Sequence, residues 1–155
     1  MRDHLLRELI APPMVAGSMR GAVAGDYDWV LEMHCAFADE ARVAMTPESR
    51  DRFVDERLAA GTFRIWNDVE DVGFAGFVRA GSTAARVAPV YTRPAFRKKG
   101  YGAALVAALC AELIREERQL FLVTDLSNPT SNALYARLGF EPLADFYTFD
   151  LVESG

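Results

Sequence analysis

Apolar residues recur along this chain with two different periods. Val30, Met33, His34, Phe37 and Ala41 fall three or four apart and predict a helix over 27–41, with Asp26 as its cap. Thr46-Pro47 predicts the start of a second helix, ending near Gly61. A threonine hydroxyl accepts from the first free N–H groups, and a proline at the first helical position gives up an N–H that has no partner there. The period then drops to two. "TFRIWN" and "DVGFAGFVRA" alternate and predict a hairpin turning near Asp68–Asp71. "ARVAPVYT" predicts a further strand, with a bulge or an unpaired edge at Pro89, which cannot donate to a ladder. The helical period returns over 101–117, where Tyr101, Leu105, Ala108, Leu109 and Leu113 share one face. A strand at "LFLVTDL", a helix over 129–138 and a last strand near 146–151 complete the pattern.

The first residues read differently. Leu5, Leu6, Leu9 and Ile10 predict a short helix within 2–10, and "APPMVAGS" (11–18) reads as a linker. The main domain then spans 19–155, opening on a strand at "MRGAV". Strands and helices that do not strictly alternate imply an α/β (α+β) fold, a mixed sheet with helices on its faces.

Composition narrows the function. The 155 residues suit one compact domain, 51% hydrophobic and 25% charged. A formal net charge of −5 leaves no global basic footprint, so nucleic acid is not an expected partner. Cys35 and Cys110 each lie in an apolar helical pattern and read as buried thiols. There is no CxxC spacing, and His4 and His34 are far apart, so no metal site is expected. The start "MRDHLLRELI" interrupts its apolar residues with charges, unlike a signal peptide. No apolar run approaches the roughly 20 residues of a membrane span. A cytoplasmic location is the expectation, with no membrane partner.

Against this acidic background, "YTRPAFRKKGYGAAL" (91–105) places Arg97, Lys98 and Lys99 at the start of a helix. That end of a helix is already positive, and here it has neither a capping side chain nor an acid in its first turn. An external anion resolves the conflict: free N–H groups, small residues and nearby cations make a phosphate site. The loop is not a P-loop, because Lys99 precedes Gly100 and no Ser or Thr follows. It is not the dinucleotide GxGxxG fingerprint either, because Leu105 stands where the third glycine belongs. What remains is Arg97-x-x-Gly100-x-Gly102 between a strand and a helix.

This pattern resembles the pyrophosphate-binding motif of the GNAT superfamily of N-acetyltransferases. "TDLSNPTSNALYARLGFEPL" is similar to the later motif of that family, in Asn128, Tyr135, Gly139 and Phe140. The resemblance covers roughly residues 19–151 and is sharpest from 84 to 142. More narrowly it is to a bacterial subgroup of predicted acetyltransferases. In that subgroup another region often precedes the catalytic domain, and residues 1–18 fit a remnant of that connection, outside the cofactor site. The resemblance implies a mostly antiparallel sheet of six or seven strands with about four helices, splayed at the strand before the glycine loop. It also implies acetyl-CoA as cosubstrate, held by the backbone of Val90, Tyr91 and Thr92 along the pantetheine. Arg97, Lys98, Lys99, Gly100, Tyr101, Gly102 and Ala103 would surround the pyrophosphate. Asn128 and Ser131 would lie near the thiol end.

Asn128-Pro129 reads first as a helix start. Leu134 and Leu138 should face the core, while Asn128, Ser131 and Tyr135 share another face. The resemblance makes Tyr135 the general acid that protonates the leaving thiolate, with an N–H of Tyr91 or Thr92 holding the oxyanion. Glu32, His34, Asp39 and Glu40 are candidates for a general base, though each has an ordinary reading as a surface carboxylate or a core histidine, and relay through water needs no single base. The acceptor implied is a small-molecule or peptide amine, and a homodimer is compatible with the sequence. Two alternatives belong to other classes: a non-catalytic acyl-CoA-binding or regulatory module on the same fold, and a nucleotide-binding module.

Overall fold

A computed structural model describes residues 1–116 and 118–145. In chain order the elements are β1 (Arg2–Leu6), β2 (Ser18–Gly21), α1 (Tyr27–Glu40), α2 (Pro47–Ala60), β3 (Phe63–Asp68), β4 (Glu70–Ala80), β5 (Ala84–Thr92), α3 (Tyr101–Arg115), β6 (Gln119–Thr124), α4 (Pro129–Arg137) and β7 (Phe140–Asp145). The strands form one mixed sheet in the order β2-β3-β4-β5-β6-β1-β7. Its pairs are antiparallel except β5 with β6. Among the described residues no helix is long and apolar enough to cross a membrane. The strand expected near 146–151 lies outside the described residues; the last described strand ends at Asp145.

Two apolar layers sandwich the sheet. On one face α3 buries Leu105, Leu109 and Leu113 against Trp66, Val72, Phe77 and Leu120. On the other, α1 and α2 bury Val30, Met33 and Val54 against Phe63, Ile65, Phe74 and Tyr91. Thr46 caps α2 as its sequence implies, its hydroxyl accepting from the Ser49 N–H at 3.1 Å. Asp26 does not cap α1. Its carboxylate accepts from the Val23 N–H at 2.8 Å and from Arg20 at 2.8 and 2.9 Å. The Arg20 hydrogen bonds hold that carboxyl below the usual carboxylate range.

The helix expected within 2–10 is instead β1, an interior strand. It pairs with β6 on one side and β7 on the other. A short isolated helix is marginal in water, whereas a strand in this slot satisfies backbone groups on both its edges. The tie continues past the strand, with Arg7 N–H to Gly139 O at 3.3 Å and Ile10 N–H to Leu138 O at 3.0 Å. Gly139 has φ +102°, and a Cβ there would run into the Glu8 carbonyl oxygen, so this crossing needs glycine.

The parallel pair β5–β6 is short. Only Ala84↔Gln119, Ala85↔Leu120 and Arg86↔Phe121 are in register. Beyond Arg86 the two strands part, and the β4–β5 ladder shifts register opposite Val87 to Val90, around Pro89. The bulge expected at Pro89 is therefore present, and the splay implied by the glycine-loop resemblance lies where that resemblance puts it.

His34 is buried between α1 and α2, its ring 4.4 Å from Phe53 and nearly parallel to it. Neither ring nitrogen has a hydrogen-bond partner among the described residues. Burial first, then the cations of Arg50 and Arg57, push its pKa below the ordinary value. The unfolded chain therefore takes up a proton from about pH 6.5 downward while the folded chain resists it. Stability should fall as pH drops below about 6.5. His34→Phe should flatten that acid limb in melting curves between pH 7.5 and 5; an unchanged slope would show that His34 does not titrate on unfolding.

Candidate functional site

The parting of β5 from β6 opens a cleft of about 710 Å³. The cleft runs from the start of α3 to α4 and takes in all the residues proposed for a ligand except Lys99: Val90, Tyr91 and Thr92 on β5, Arg97, Lys98, Gly100, Tyr101, Gly102 and Ala103 at the loop, and Asn128, Ser131 and Tyr135 on α4. Lys99 instead places its ammonium 5.6 Å from the Phe96 ring.

The loop has the features its sequence implies. Gly100, at φ +88°, precedes α3, no side chain caps the helix, and no acid stands in its first turn. Ala104 is bonded to the Gly100 carbonyl at 3.1 Å, while the N–H groups before it have no intrahelical partner. A Cβ on Gly102 would stand 3.2 Å from Thr92 Oγ1, so glycine lets the helix start approach the end of β5. Lys98 adopts φ +63°, an uncommon conformation for a lysine. The Tyr101 hydroxyl donates to Asp68, which turns that side chain toward the β3–β4 hairpin.

One cation is not free. Arg97 donates to both carboxylate oxygens of Glu40 at 2.8 and 2.9 Å, and its Nε donates to Thr92 O at 2.9 Å. Of the three basic residues at the loop, Arg97 is thus already engaged by an acid. Nothing local in the sequence shows the pairing, because Glu40 ends α1 and is 57 positions away.

Ladder geometry sorts the β5 backbone. Arg93 N–H bonds to Val72 O at 2.9 Å, so Val72–Arg93 is a hydrogen-bonded pair. Two residues along, Phe74–Tyr91 must be another, and Gly73–Thr92 and Ala75–Val90 are the open pairs between. The backbone groups of Val90 and Thr92 therefore face the cleft, while those of Tyr91 face β4. Of the two N–H groups named for an oxyanion, only that of Thr92 is available. The Tyr91 side chain is buried, with the Arg97 guanidinium 5.3 Å from its ring.

At the other end, Asn128 caps α4, its Oδ1 accepting from the Ser131 N–H at 3.1 Å. Leu138 is buried as expected. Leu134 lines the cleft as well as packing on the core. Tyr135 meets Phe140 edge to face at 6.0 Å, and its hydroxyl has no protein partner among the described residues. Burial, with the nearby Cys110 thiol second, pushes the phenol up to about 12. It therefore carries its proton throughout the neutral range. Cys110 is also pushed up to about 12, by burial, and stays a thiol, whereas Cys35 is only half-buried.

The candidate bases are dispersed. Glu32 is exposed, His34 is enclosed between α1 and α2, Asp39 lies 3.5 Å from Arg50, and Glu40 holds Arg97. Phe37, Phe96 and Leu134 supply an apolar wall that the sequence reading did not name. Residues 11–17, expected to be a linker away from the site, run beside it. Val15 sits where a Cβ on Gly100 would meet it at 2.9 Å, and Trp66 Nε1 donates to Ala16 O at 3.1 Å.

Comparison with known proteins bears on the fold. The FR47-like protein family matches residues 73–148. An acetyltransferase of the GNAT family from Colwellia psychrerythraea superposes with a TM-score of 0.76 at 10% identity, over 91% of this chain and 52% of its own. A GNAT-family protein from Novosphingobium aromaticivorans superposes with a TM-score of 0.69 at 19% identity, over 92% and 59%. The chain thus spans little more than half the length of these two relatives. AAC(6')-Iy, solved with the bisubstrate analog CoA-S-monomethyl-acetylneamine, gives a TM-score of 0.71 at 16% identity, over 88% and 98%. No curated protein matches the sequence.

The Arg97–Glu40 pair makes a prediction of its own. Glu40→Gln frees Arg97 for an external anion. Exposed ion pairs are worth up to about 1 kcal/mol, so inorganic pyrophosphate should bind up to about fivefold tighter at low salt. Calorimetric titration checks this, and equal affinity would mean that Arg97 does not reach the anion.

Proposed function

We propose that the chain, which shares the fold of GNAT-family acetyltransferases and matches the FR47-like family over residues 73–148, is a GNAT-superfamily N-acetyltransferase that transfers an acetyl group from acetyl-CoA to an amine by direct attack. The observation that carries this reading is one cleft with an uncapped helix start at one end and a protonated phenol at the other. The residues fit the cosubstrate. The N–H groups from Gly100 to Ala103 suit a pyrophosphate, with Lys98 beside them and Arg97 available on release from Glu40. The open N–H and C=O of Val90 suit the amides of a pantetheine arm laid along β5 as an added strand. Asn128 and Ser131 stand on the α4 side of the same cleft.

Acetyl-CoA supplies an activated thioester. The amine nitrogen forms a bond to the carbonyl carbon as the carbonyl electrons move to oxygen; when they return, the C–S bond breaks and sulfur leaves with its pair. The Thr92 N–H holds the oxyanion. The Tyr135 hydroxyl donates to the departing sulfur. A phenol near 12 gives its proton to a thiolate of about 8.5 only uphill. The hydroxyl therefore stabilises the thiolate mainly as a hydrogen-bond donor, and the transfer completes as the proton from the new ammonium returns through water. The acceptor is a small-molecule or peptide amine. AAC(6')-Iy carries a neamine-derived analog, which makes aminoglycoside-like amines a reasonable first panel.

Two variants test the reading. Gly102→Asp puts a side chain and a negative charge at the helix start and should abolish thermal stabilisation by coenzyme A while the apo protein stays folded. Tyr135→Phe keeps the ring and its contact with Phe140. Its kcat for thiol release, measured across an amine panel, should fall at least about tenfold, less than the about 10²–10⁴-fold typical of full proton transfer because the hydroxyl acts mainly as a hydrogen-bond donor, with acetyl-CoA affinity little changed. Coenzyme A binding with no turnover on any amine would favour the non-catalytic module.

A further inference from the structure

We propose that His4, on β1, is a positioning residue for the cleft face of α4, acting through Thr124 and Asn132. The identity of the ligand in the cleft rests on the acetyl-CoA reading; the relay itself does not.

The helix α4 needs an anchor. It has nine residues, and none is fully buried. So short a helix is marginal alone, and its packing on the core rests on the partly buried Leu134 and Tyr135. Yet it carries Asn128, at its cap, with Ser131 and Tyr135 to the cleft. What holds its start is a chain of side-chain hydrogen bonds. Asn132 Nδ2 donates to Asn128 O at 2.8 Å and to Asp125 O at 3.1 Å, clamping both ends of the turn between β6 and α4. With both amide hydrogens used, Asn132 Oδ1 must accept, and it takes the Thr124 hydroxyl hydrogen at 2.5 Å. That hydroxyl has only one hydrogen, so its oxygen must accept from His4 Nε2, which lies 2.8 Å away. The direction of every bond is thus fixed, and so is the tautomer: Nε2 carries the proton and Nδ1 is bare. Nδ1 is buried with no partner among the described residues.

The relay starts in the core. His4 is 3% exposed and Thr124 5%, so water does not readily replace a lost member. It also crosses the sheet in the right direction. β1 pairs His4 with Leu122 and Arg2 with Thr124, so the imidazole reaches diagonally to the last residue of β6, where the turn to α4 begins. A residue at the start of the chain thereby sets the orientation of a helix more than 120 positions later.

The test uses the whole chain and needs no acceptor amine. Thr124→Val keeps shape and burial and removes both bonds at the centre of the relay. It should speed hydrogen–deuterium exchange at the amides of residues 131–135 by about tenfold or more relative to amides of β3 and β4. Coenzyme A should bind several-fold more weakly. His4→Leu should do the same, His4→Gln, which offers a donor at a similar reach, should restore both, and the Thr124→Val/His4→Leu pair should be no worse than either alone. Thr124→Val with α4 exchange unchanged relative to the sheet would overturn the proposal, as would additive effects of the pair. Should His4→Leu not fold, Thr124→Val decides alone. Should the wild type not bind coenzyme A, the functional reading fails, and the exchange data still decide the relay.

Discussion

The structure depends on where β5 stops pairing with β6. Three parallel positions are joined, and after Arg86 the strands diverge. Unpaired backbone groups are costly when buried, so such a gap persists in a core only if something else serves those groups. Here the gap faces the cleft, where water or a ligand serves them. The same divergence makes room for the first turn of α3 against Thr92, with Gly102 admitting the contact. It also separates that turn from α4, so that the charged end and the phenol face one space from two sides. The proposed anion site, the free edge and the placement of the Tyr135 phenol are therefore consequences of one departure from regular pairing.

Magnitudes explain why α3 tolerates an uncapped, positively flanked start. A missing N-cap forgoes about 1 kcal/mol, and each exposed cation near the helix start opposes the dipole by about 0.3–1 kcal/mol. Against this, Leu105, Leu109 and Leu113 are each essentially fully buried, at roughly 1.5–3 kcal/mol apiece. The buried face outweighs the exposed end, and the end is left available for a ligand. Glu40 relieves part of the remaining repulsion by holding Arg97. Its effect is modest because the pair is exposed, which also makes it easy to exchange for a phosphate.

What the sequence revealed and what it hid divide along the range of the interactions. Helical spacing located α3 and its uncapped end, and the Asn128 cap followed from Asn-Pro. These are contacts within a few residues, and the pattern encodes them directly. The first strand was misread because Leu5, Leu6, Leu9 and Ile10 fit a helical face as well as a strand, and the choice between them is made by partners at 119–124 and 140–145. Glu40 was visible only as a surface acid, and its ion pair with Arg97 needs α1 and the glycine loop to meet. For another reason, the sequence left open whether the Tyr91 or the Thr92 backbone faces the cleft. Inward and outward N–H groups alternate along a strand, and the phase is fixed by register with β4, which local pattern does not contain.

The N-terminal residues show how far such long-range choices reach. If 1–18 were a tether, its contacts would be few and its backbone solvated. Instead β1 fills the slot between β6 and β7, and the next residues bond to Leu138 and Gly139 at the end of α4. Val15 then packs beside Gly100, and Ala16 accepts from Trp66. The segment therefore touches the α4 side of the cleft first and the α3 side second. Both motifs that contact a ligand in the proposed function rest on it, although it contributes no side chain to the cleft wall. The distance between those motifs is then constrained by a stretch of chain that belongs to neither.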